Sequence, residues 1–145
     1  MIWLAVADRA NAWVDRREIE RAGPSYTADT LRELAGELPG TELRLLIGAD
    51  MALIFDQWRE PEVIEHLAEP VVMVRPPHDR HSLLAALPAA ARDRWSDRVV
   101  EVPAMDLSSS QIRQAIATGR FDELGDDLPA EVIDYIRLHK LYGLR

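Results

Sequence analysis

Short apolar runs alternate along the chain with longer segments whose apolar residues recur at helical spacing. Leu43–Ile47, Val71–Val74 and Val99–Val102 are the strand-like runs. Thr27–Leu38 carries Leu31, Leu34, Ala35 and Leu38 on one helical face, and Pro39-Gly40 ends it. The Leu43 run is apolar on both faces apart from Arg44, as in a buried parallel strand. A helix is predicted from Asp50 to Gln57, beside that strand's carboxyl end. Another is predicted from Pro61 to Leu67, with proline at its favoured first position. Pro76-Pro77 closes the Val71 strand, and His78 to Asp97 reads as an irregular, Leu/Ala-rich helix pair at the periphery. Helices are predicted again at Ser110–Thr118 and Pro129–His139, the latter turning Val132, Ile133, Ile136 and Tyr135 inward. Near the start, Met1–Ala7 reads like the second half of a helix, since no N-cap residue precedes it. Ala12–Asp15 is a short strand candidate and Gly23-Pro24 a turn.

Strands alternating with helices imply a parallel, Rossmann-like α/β sheet flanked by helices, in one domain over residues 1–145. Ligands of such sheets bind beyond the carboxyl ends of the strands, which directs attention to the loops after Ile47 and Val102. The length permits a substantial core, with roughly 70% of the unfolded surface buried. A net charge of -8 and the absence of a Lys/Arg cluster argue against nucleic acid as a partner. The absence of cysteine excludes disulfides and thiolate metal sites. No basic region precedes the apolar opening, as a signal peptide would require, and no apolar run approaches the ~20 residues of a membrane helix. A cytoplasmic protein without membrane partners is the expectation.

The most informative segment is Asp106-Leu107-Ser108-Ser109-Ser110-Gln111-Ile112-Arg113, placed between a strand and a helix. A helix start offers unpaired N–H groups and the positive end of the helix dipole. Three hydroxyls and an arginine three residues on complete a cradle suited to a nucleotide phosphate. Ser108 and Gln111 also have capping-box spacing, which serves any helix; a box accounts for one serine rather than three and an arginine.

Gly48-Ala49-Asp50 follows a strand and opens a helix. Glycine lets a ligand approach the backbone, and Asp50 either accepts hydrogen bonds from a ribose or amine or caps its helix. Thr27, in Pro24-Ser25-Tyr26-Thr27, has the position of an N-cap. Trp58, beside Gln57 and Arg59, is either a packing residue or a platform for a flat ring. His78-x-x-His81 has no third ligand nearby, so no metal site is assigned, and His66 and His139 are lone histidines on surface helices.

Taken in order, the chain reads Pro-Ser-Tyr-Thr-x-x-Thr-Leu, then Leu-Ile-Gly-Ala-Asp-x-x-x-x-Phe-x-x-Trp and Val-x-Val-Arg-Pro-Pro. Leu-Ser-Ser-Ser-x-Ile-Arg and Leu-Pro-x-x-Val-x-x-Tyr-Ile-x-x-x-x-Leu-Tyr follow. This series resembles the bacterial nicotinate mononucleotide adenylyltransferases across essentially the whole chain. The serine segment is similar to the Ile-Ser-Ser-Thr-x-Ile-Arg signature of nucleotidyltransferases, with Leu107 for isoleucine and Ser110 for threonine. The resemblance implies a nucleotidyltransferase-type fold and transfer of AMP from ATP to nicotinate mononucleotide, in NAD biosynthesis. It implies that Tyr26, Thr27 and Trp58 surround the nicotinate ring and that Gly48 and Asp50 meet the adenosine end of ATP. Ser108, Ser109, Ser110 and Arg113 would hold the phosphates, Arg75 would be mainly structural, and magnesium would be carried mainly by the triphosphate. Homo-oligomerisation and selectivity between nicotinate and nicotinamide are left open.

The family's opening Gly-Gly-x-Phe-Asp-Pro-x-His-x-Gly-His motif has no counterpart, and His78-Asp79-Arg80-His81 is no substitute for it. The first βαβ portion is therefore expected to precede Met1, and no catalytic residue is assigned in this chain. The missing histidines would stabilise transition-state charge, and the missing strand would lie centrally between two strands still present. The 145 residues alone are accordingly expected to show no appreciable transfer and to fold poorly or associate through an open sheet edge. A non-catalytic nucleotide-binding module and a related transferase with another acceptor are the rival readings; Tyr26, Thr27 and Trp58 favour nicotinate over another acceptor.

Overall fold

The computed structural model describes residues 1–76, 78–103 and 108–144, less the side chains of 125–127. Pro77, and Asp106 and Leu107 at the head of the serine motif, lie outside the described residues. In chain order the helices and strands before residue 69 are α1 (Ile2–Val6), α2 (Arg17–Glu20), α3 (Thr27–Glu37), β1 (Leu43–Gly48), α4 (Ala49–Leu53) and α5 (Pro61–Leu67). They are followed by β2 (Ala68–Val74), α6 (Arg80–Ala86), α7 (Ala89–Trp95), β3 (Val99–Glu101), α8 (Ser109–Ala117) and α9 (Ala130–Leu138). The chain forms two compact units, Arg17–Ala104 and Met1–Arg16 with Met105–Arg145.

The Arg17–Ala104 unit holds a parallel three-stranded sheet in the order β1-β2-β3. Leu43 lies opposite Ala68, Ile47 opposite Val72, and Val72 opposite Val99. The Val102 N–H donates to the Val74 carbonyl at 2.9 Å, carrying the β2–β3 pairing one residue past β3. The expected parallel sheet flanked by helices is therefore present. The three strands are immediate neighbours, so the open central position expected from the family's topology does not fall between any two of them. The outer edge of β1 has no strand partner among the described residues.

Register sorts the strand residues into two faces. Ile47, Val72, Val74 and Val99 share a core with Ala28 and Leu31 of α3, Ala52 of α4, Ile64 of α5, Leu83 of α6 and Trp95 of α7. The opposite face carries Arg44, Leu46 and Val100. Leu46 is 61% exposed there, so the expectation that β1 is buried on both faces is incorrect. An apolar run states what a strand tolerates and leaves open which face is covered. Within this unit the helices gather on one face of the sheet.

Three other expectations are corrected. Ala12–Asp15 is not a strand; a strand needs a ladder, and local apolar content does not supply one. The helix expected from Asp50 to Gln57 breaks at Ile54 (φ -113°, ψ 11°) into α4 and a 3-10 turn, Phe55–Gln57. The break accompanies full burial of Phe55, which lies between Trp58 and Trp95 at centroid distances of 5.3 and 4.8 Å. The helix pair after His78 is present as α6 and α7, yet it is not peripheral: Trp95 is 1% exposed, and its indole N–H donates to Glu65 at 2.7 Å.

The other unit is helical. Ala115 and Ile116 of α8 and Val132 and Ile136 of α9 are buried together with Leu124, and Leu4 of α1 packs against them. Ile133 is half-buried, whereas Tyr135 is exposed and stacks on His139 at 4.2 Å, a same-face neighbour four residues on. Tyr135 thus faces outward, contrary to the inward placement read from the sequence.

Candidate active site

Helix α3 leads directly into the start of β1, and α5 into the start of β2. Both helices run back along the sheet, so their N-termini lie toward the carboxyl ends of the strands, where ligands of such sheets bind. A pocket of about 270 Å³ lies there, lined by Ser25, Tyr26, Thr27, Gln57, Trp58, Arg59 and Ile64. Tyr26, Thr27 and Trp58, three candidates far apart in sequence, are thereby brought to one place.

Each wall has a local cause. Tyr26 (φ -114°, ψ 140°) is the N-cap residue of α3, without a side-chain cap, and Thr27 is the first helical residue. Thr27 is therefore not the N-cap its sequence position implied. Trp58 closes the Phe55–Gln57 turn, its N–H donating to the Phe55 carbonyl at 3.0 Å, and its ring rests against Phe55. The platform is thus backed by the core.

Glu60 follows in a left-handed conformation (φ 55°, ψ 57°), uncommon for a residue with a Cβ. The proline at 61 disfavours the right-handed helical alternative at this position. Arg32 of α3 grips its carboxylate with bonds of 2.6 and 3.2 Å. That charge-assisted pair holds the Glu60 carboxyl below the usual carboxylate range and ties the loop to α3. Arg59 places its guanidinium 4.4 Å from the centroid of the Tyr26 ring. Sequence reasoning noted Arg59 only as a polar neighbour of Trp58. The available signal was a cation adjoining a candidate ring platform.

Gly48 and Asp50 stand at the carboxyl end of β1. A Cβ on Gly48 would come 2.7 Å from the Asp50 Oδ1, the end of an exposed side chain that would have to turn aside. The N-cap of α4 is Gly48 itself, with no side-chain cap, so Asp50 is an exposed first-turn residue and not the cap.

In the helical unit, Ser108 is the N-cap of α8 and forms a complete capping box. The Gln111 N–H donates to the Ser108 hydroxyl at 3.3 Å, and the Ser108 N–H donates to the Gln111 side chain at 2.8 Å. Ser109 and Ser110 open the helix, exposed, and Arg113 reaches the Ser110 hydroxyl at 3.4 Å. Hydroxyls and a guanidinium thus stand together at the positive end of a helix. Arg75 is exposed just past β2.

A larger polar cleft, about 520 Å³, lies at the opposite end of the strands. Its charges are largely engaged with one another, Glu69 bridging Arg44 at 3.0 Å and Arg98 at 3.2 Å. The smaller pocket, with its ring faces and its place beyond the strand ends, is the better ligand site.

The fold is of the nucleotidyltransferase class. The solved structure of Plasmodium falciparum nicotinic acid mononucleotide adenylyltransferase, complexed with APC, matches 86% of this chain and 61% of that one. The TM-score is 0.57 and the identity 18%, a likeness that speaks for fold alone. No protein-family profile matches the chain. Three bacterial relatives, each named "probable nicotinate-nucleotide adenylyltransferase", narrow the class. That of Chromobacterium violaceum is 38% identical over 98% of this chain, that of Frankia alni 39% over 100%, and that of Stenotrophomonas maltophilia 37% over 98%. The chain spans 72% of the length of each. It belongs to the nicotinate-nucleotide adenylyltransferase family.

Proposed function

We propose that the chain acts in the transfer of AMP from ATP to nicotinate mononucleotide, giving nicotinate adenine dinucleotide and pyrophosphate in NAD biosynthesis. A phosphate oxygen of the mononucleotide attacks the α-phosphorus of ATP in line. The bond from that phosphorus to the α–β bridging oxygen breaks, and pyrophosphate leaves. Catalysis of this kind rests on positioning and charge stabilisation, without a covalent enzyme intermediate.

The observation that carries the reading is the pocket shared by Tyr26, Thr27 and Trp58 in a chain of this family. Its ring faces suit a pyridine, with Trp58 stacking and Thr27 offering a hydroxyl and its backbone. Gly48 and Asp50 are assigned to the adenosine end of ATP, and Ser108, Ser109, Ser110 and Arg113 to its phosphates. Magnesium is assigned to the triphosphate it accompanies. The donors at the start of α8 suit phosphate oxygens, and no three His, Asp or Glu side chains converge among the described residues. The proposed compartment is the cytoplasm. No helix among the described residues is long and apolar enough to cross a membrane.

Trp58→Ala tests the reading. Loss of ring stacking, worth about 1–3 kcal/mol for a nucleobase on an aromatic side chain, should weaken nicotinate mononucleotide binding roughly 5- to 100-fold while ATP binding changes little. Equal weakening of both ligands would show that Trp58 serves general packing instead.

A further inference from the structure

We propose that Arg32 and Glu60 are positioning residues for the pyridine pocket, their ion pair holding the Trp58 turn against α3 at the spacing the ring requires. The inference rests on assigning the Tyr26–Thr27–Trp58 pocket to the pyridine, and it adds to that pocket the pair that ties its two walls together.

The pocket is built from two separate pieces of chain. Tyr26 and Thr27 open α3, whereas Trp58 and Arg59 stand between the Phe55–Gln57 turn and α5. Leu31 and Ile64 are buried in one core and hold α3 to α5. Residues 58–60 are bends outside any helix or strand, so no ladder of backbone bonds fixes them. Glu60 is where this connection would give. Its left-handed backbone (φ 55°) is uncommon for a residue with a Cβ, and the proline after it disfavours the right-handed alternative while leaving extended conformations open. An extended Glu60 would redirect the chain on either side of it and shift Trp58 relative to Tyr26.

Arg32 opposes that change. Its two terminal nitrogens donate to the two Glu60 oxygens at 2.6 and 3.2 Å, a forked, charge-assisted contact that fixes orientation as well as distance. Asp29, one turn back on α3, accepts from the same guanidinium at 3.1 Å and so aims it. A second cation, Arg59, has its Nε 3.7 Å from the Glu60 Oε2. With Glu60 engaged by Arg32, Arg59 rests over the Tyr26 ring at 4.4 Å. Released from Arg32, the carboxylate would draw Arg59 off that ring. The pair therefore sets both the backbone of the turn and the side chain beside it. Among the described residues the pocket is lined by neither Arg32 nor Glu60, so both act through Trp58 and Arg59.

The test is calorimetric titration of the full 145-residue chain with nicotinate mononucleotide and, separately, with ATP and magnesium. Glu60→Gln, Arg32→Met and the double variant are compared with the parent. Exposed ion pairs contribute modestly, so each single variant should weaken mononucleotide binding roughly three- to fivefold. ATP affinity should stay within about twofold, with an unchanged circular dichroism spectrum. The double variant should lose no more than either single one, since all three break the same contact. Arg32→Lys should recover part of the loss, because charge returns without the planar fork. Unchanged mononucleotide affinity in both single variants, equal weakening of both ligands, or losses that multiply in the double variant would overturn the proposal. Any of these leaves the pocket assignment standing if Trp58→Ala weakens the mononucleotide. If Trp58→Ala leaves that affinity unchanged, or the chain binds no mononucleotide, the pocket assignment falls and the proposal with it.

Discussion

Replacing Ser108 by aspartate and by alanine separates the two roles of the serine turn. In the structure Ser108 is an N-cap: extended backbone (φ -84°, ψ 156°), hydroxyl accepting from the Gln111 N–H at 3.3 Å. Aspartate ranks with serine as a cap, and a negative charge at a helix start gains about 0.3–1 kcal/mol from the dipole. Ser108→Asp should therefore hold or raise the melting temperature, by at most roughly 4 °C, and Ser108→Ala, losing ~1 kcal/mol of capping, should lower it by a similar amount. ATP binding should rank differently. A phosphate seated against the same N–H groups would lie about 5 Å from the new carboxylate, and two unit charges at that distance repel by ~3 kcal/mol at an effective dielectric near 20. That is roughly a hundredfold loss of ATP affinity. Alanine removes one neutral contact, worth about 0.5–1.5 kcal/mol, or up to roughly tenfold. Scanning calorimetry should rank stability as aspartate at or above serine, with alanine below. Titration with magnesium and ATP should rank affinity as serine above alanine above aspartate. An aspartate variant that is stable and binds ATP like the parent would refute the phosphate role and leave Ser108 as a cap alone.

Three further outcomes are expected. Arg113→Ala should weaken ATP binding roughly 10- to 100-fold, from loss of a charge-assisted phosphate contact, with little change in stability because its hydrogen bond to Ser110 is long at 3.4 Å; unchanged ATP titrations would remove Arg113 from the site. Phe55→Ala should cost about 3–5 kcal/mol in urea unfolding, since the ring is 1% exposed and supports both Trp58 and Trp95; a loss below about 1 kcal/mol would contradict that packing. The lowered Glu60 carboxyl contributes stability above the ordinary carboxylate range and loses it as pH falls through its depressed value. The gap between parent and Glu60→Gln urea midpoints should accordingly be widest near neutrality and close in acid, whereas a gap independent of pH would show that the Arg32 pair does not set it.

Legibility in the sequence followed the range of the interaction involved. Ser108 and Gln111 are three residues apart, and the capping box their spacing implied is present with both bonds. The apolar runs of β1, β2 and β3 likewise became strands within a few residues of the expected bounds. What failed depended on distant partners. Leu46 looked like a core residue and is largely exposed, because register with β2 and β3 decides which face the helices cover. Trp95 sat in an irregular, alanine-rich stretch and became a central core side chain through Phe55 and Glu65, 40 and 30 residues away. Asp50 to Gln57 read as one helix, but burial of Phe55 between two indoles accompanies its break at Ile54.

The same logic explains why the candidate site was only partly visible. Tyr26 and Trp58 meet through the packing of α3 against α5, which no spacing rule encodes, so it was the family's ordered motifs that grouped them beforehand. Arg59 escaped because its setting is built from three dimensions. Its platform comes from the residue before α3, and the competing acid beside it is engaged by an arginine 28 residues earlier in sequence. Gly48 shows the converse: a glycine read as room for a ligand also leaves room for the Asp50 carboxylate, whose oxygen lies close to where a Cβ would stand. Structural and chemical duties on one residue are compatible, since a side chain held by its own neighbours is already positioned when substrate arrives. A useful substitution must therefore keep the structural duty and alter only the charge or the ring, as Ser108→Asp does.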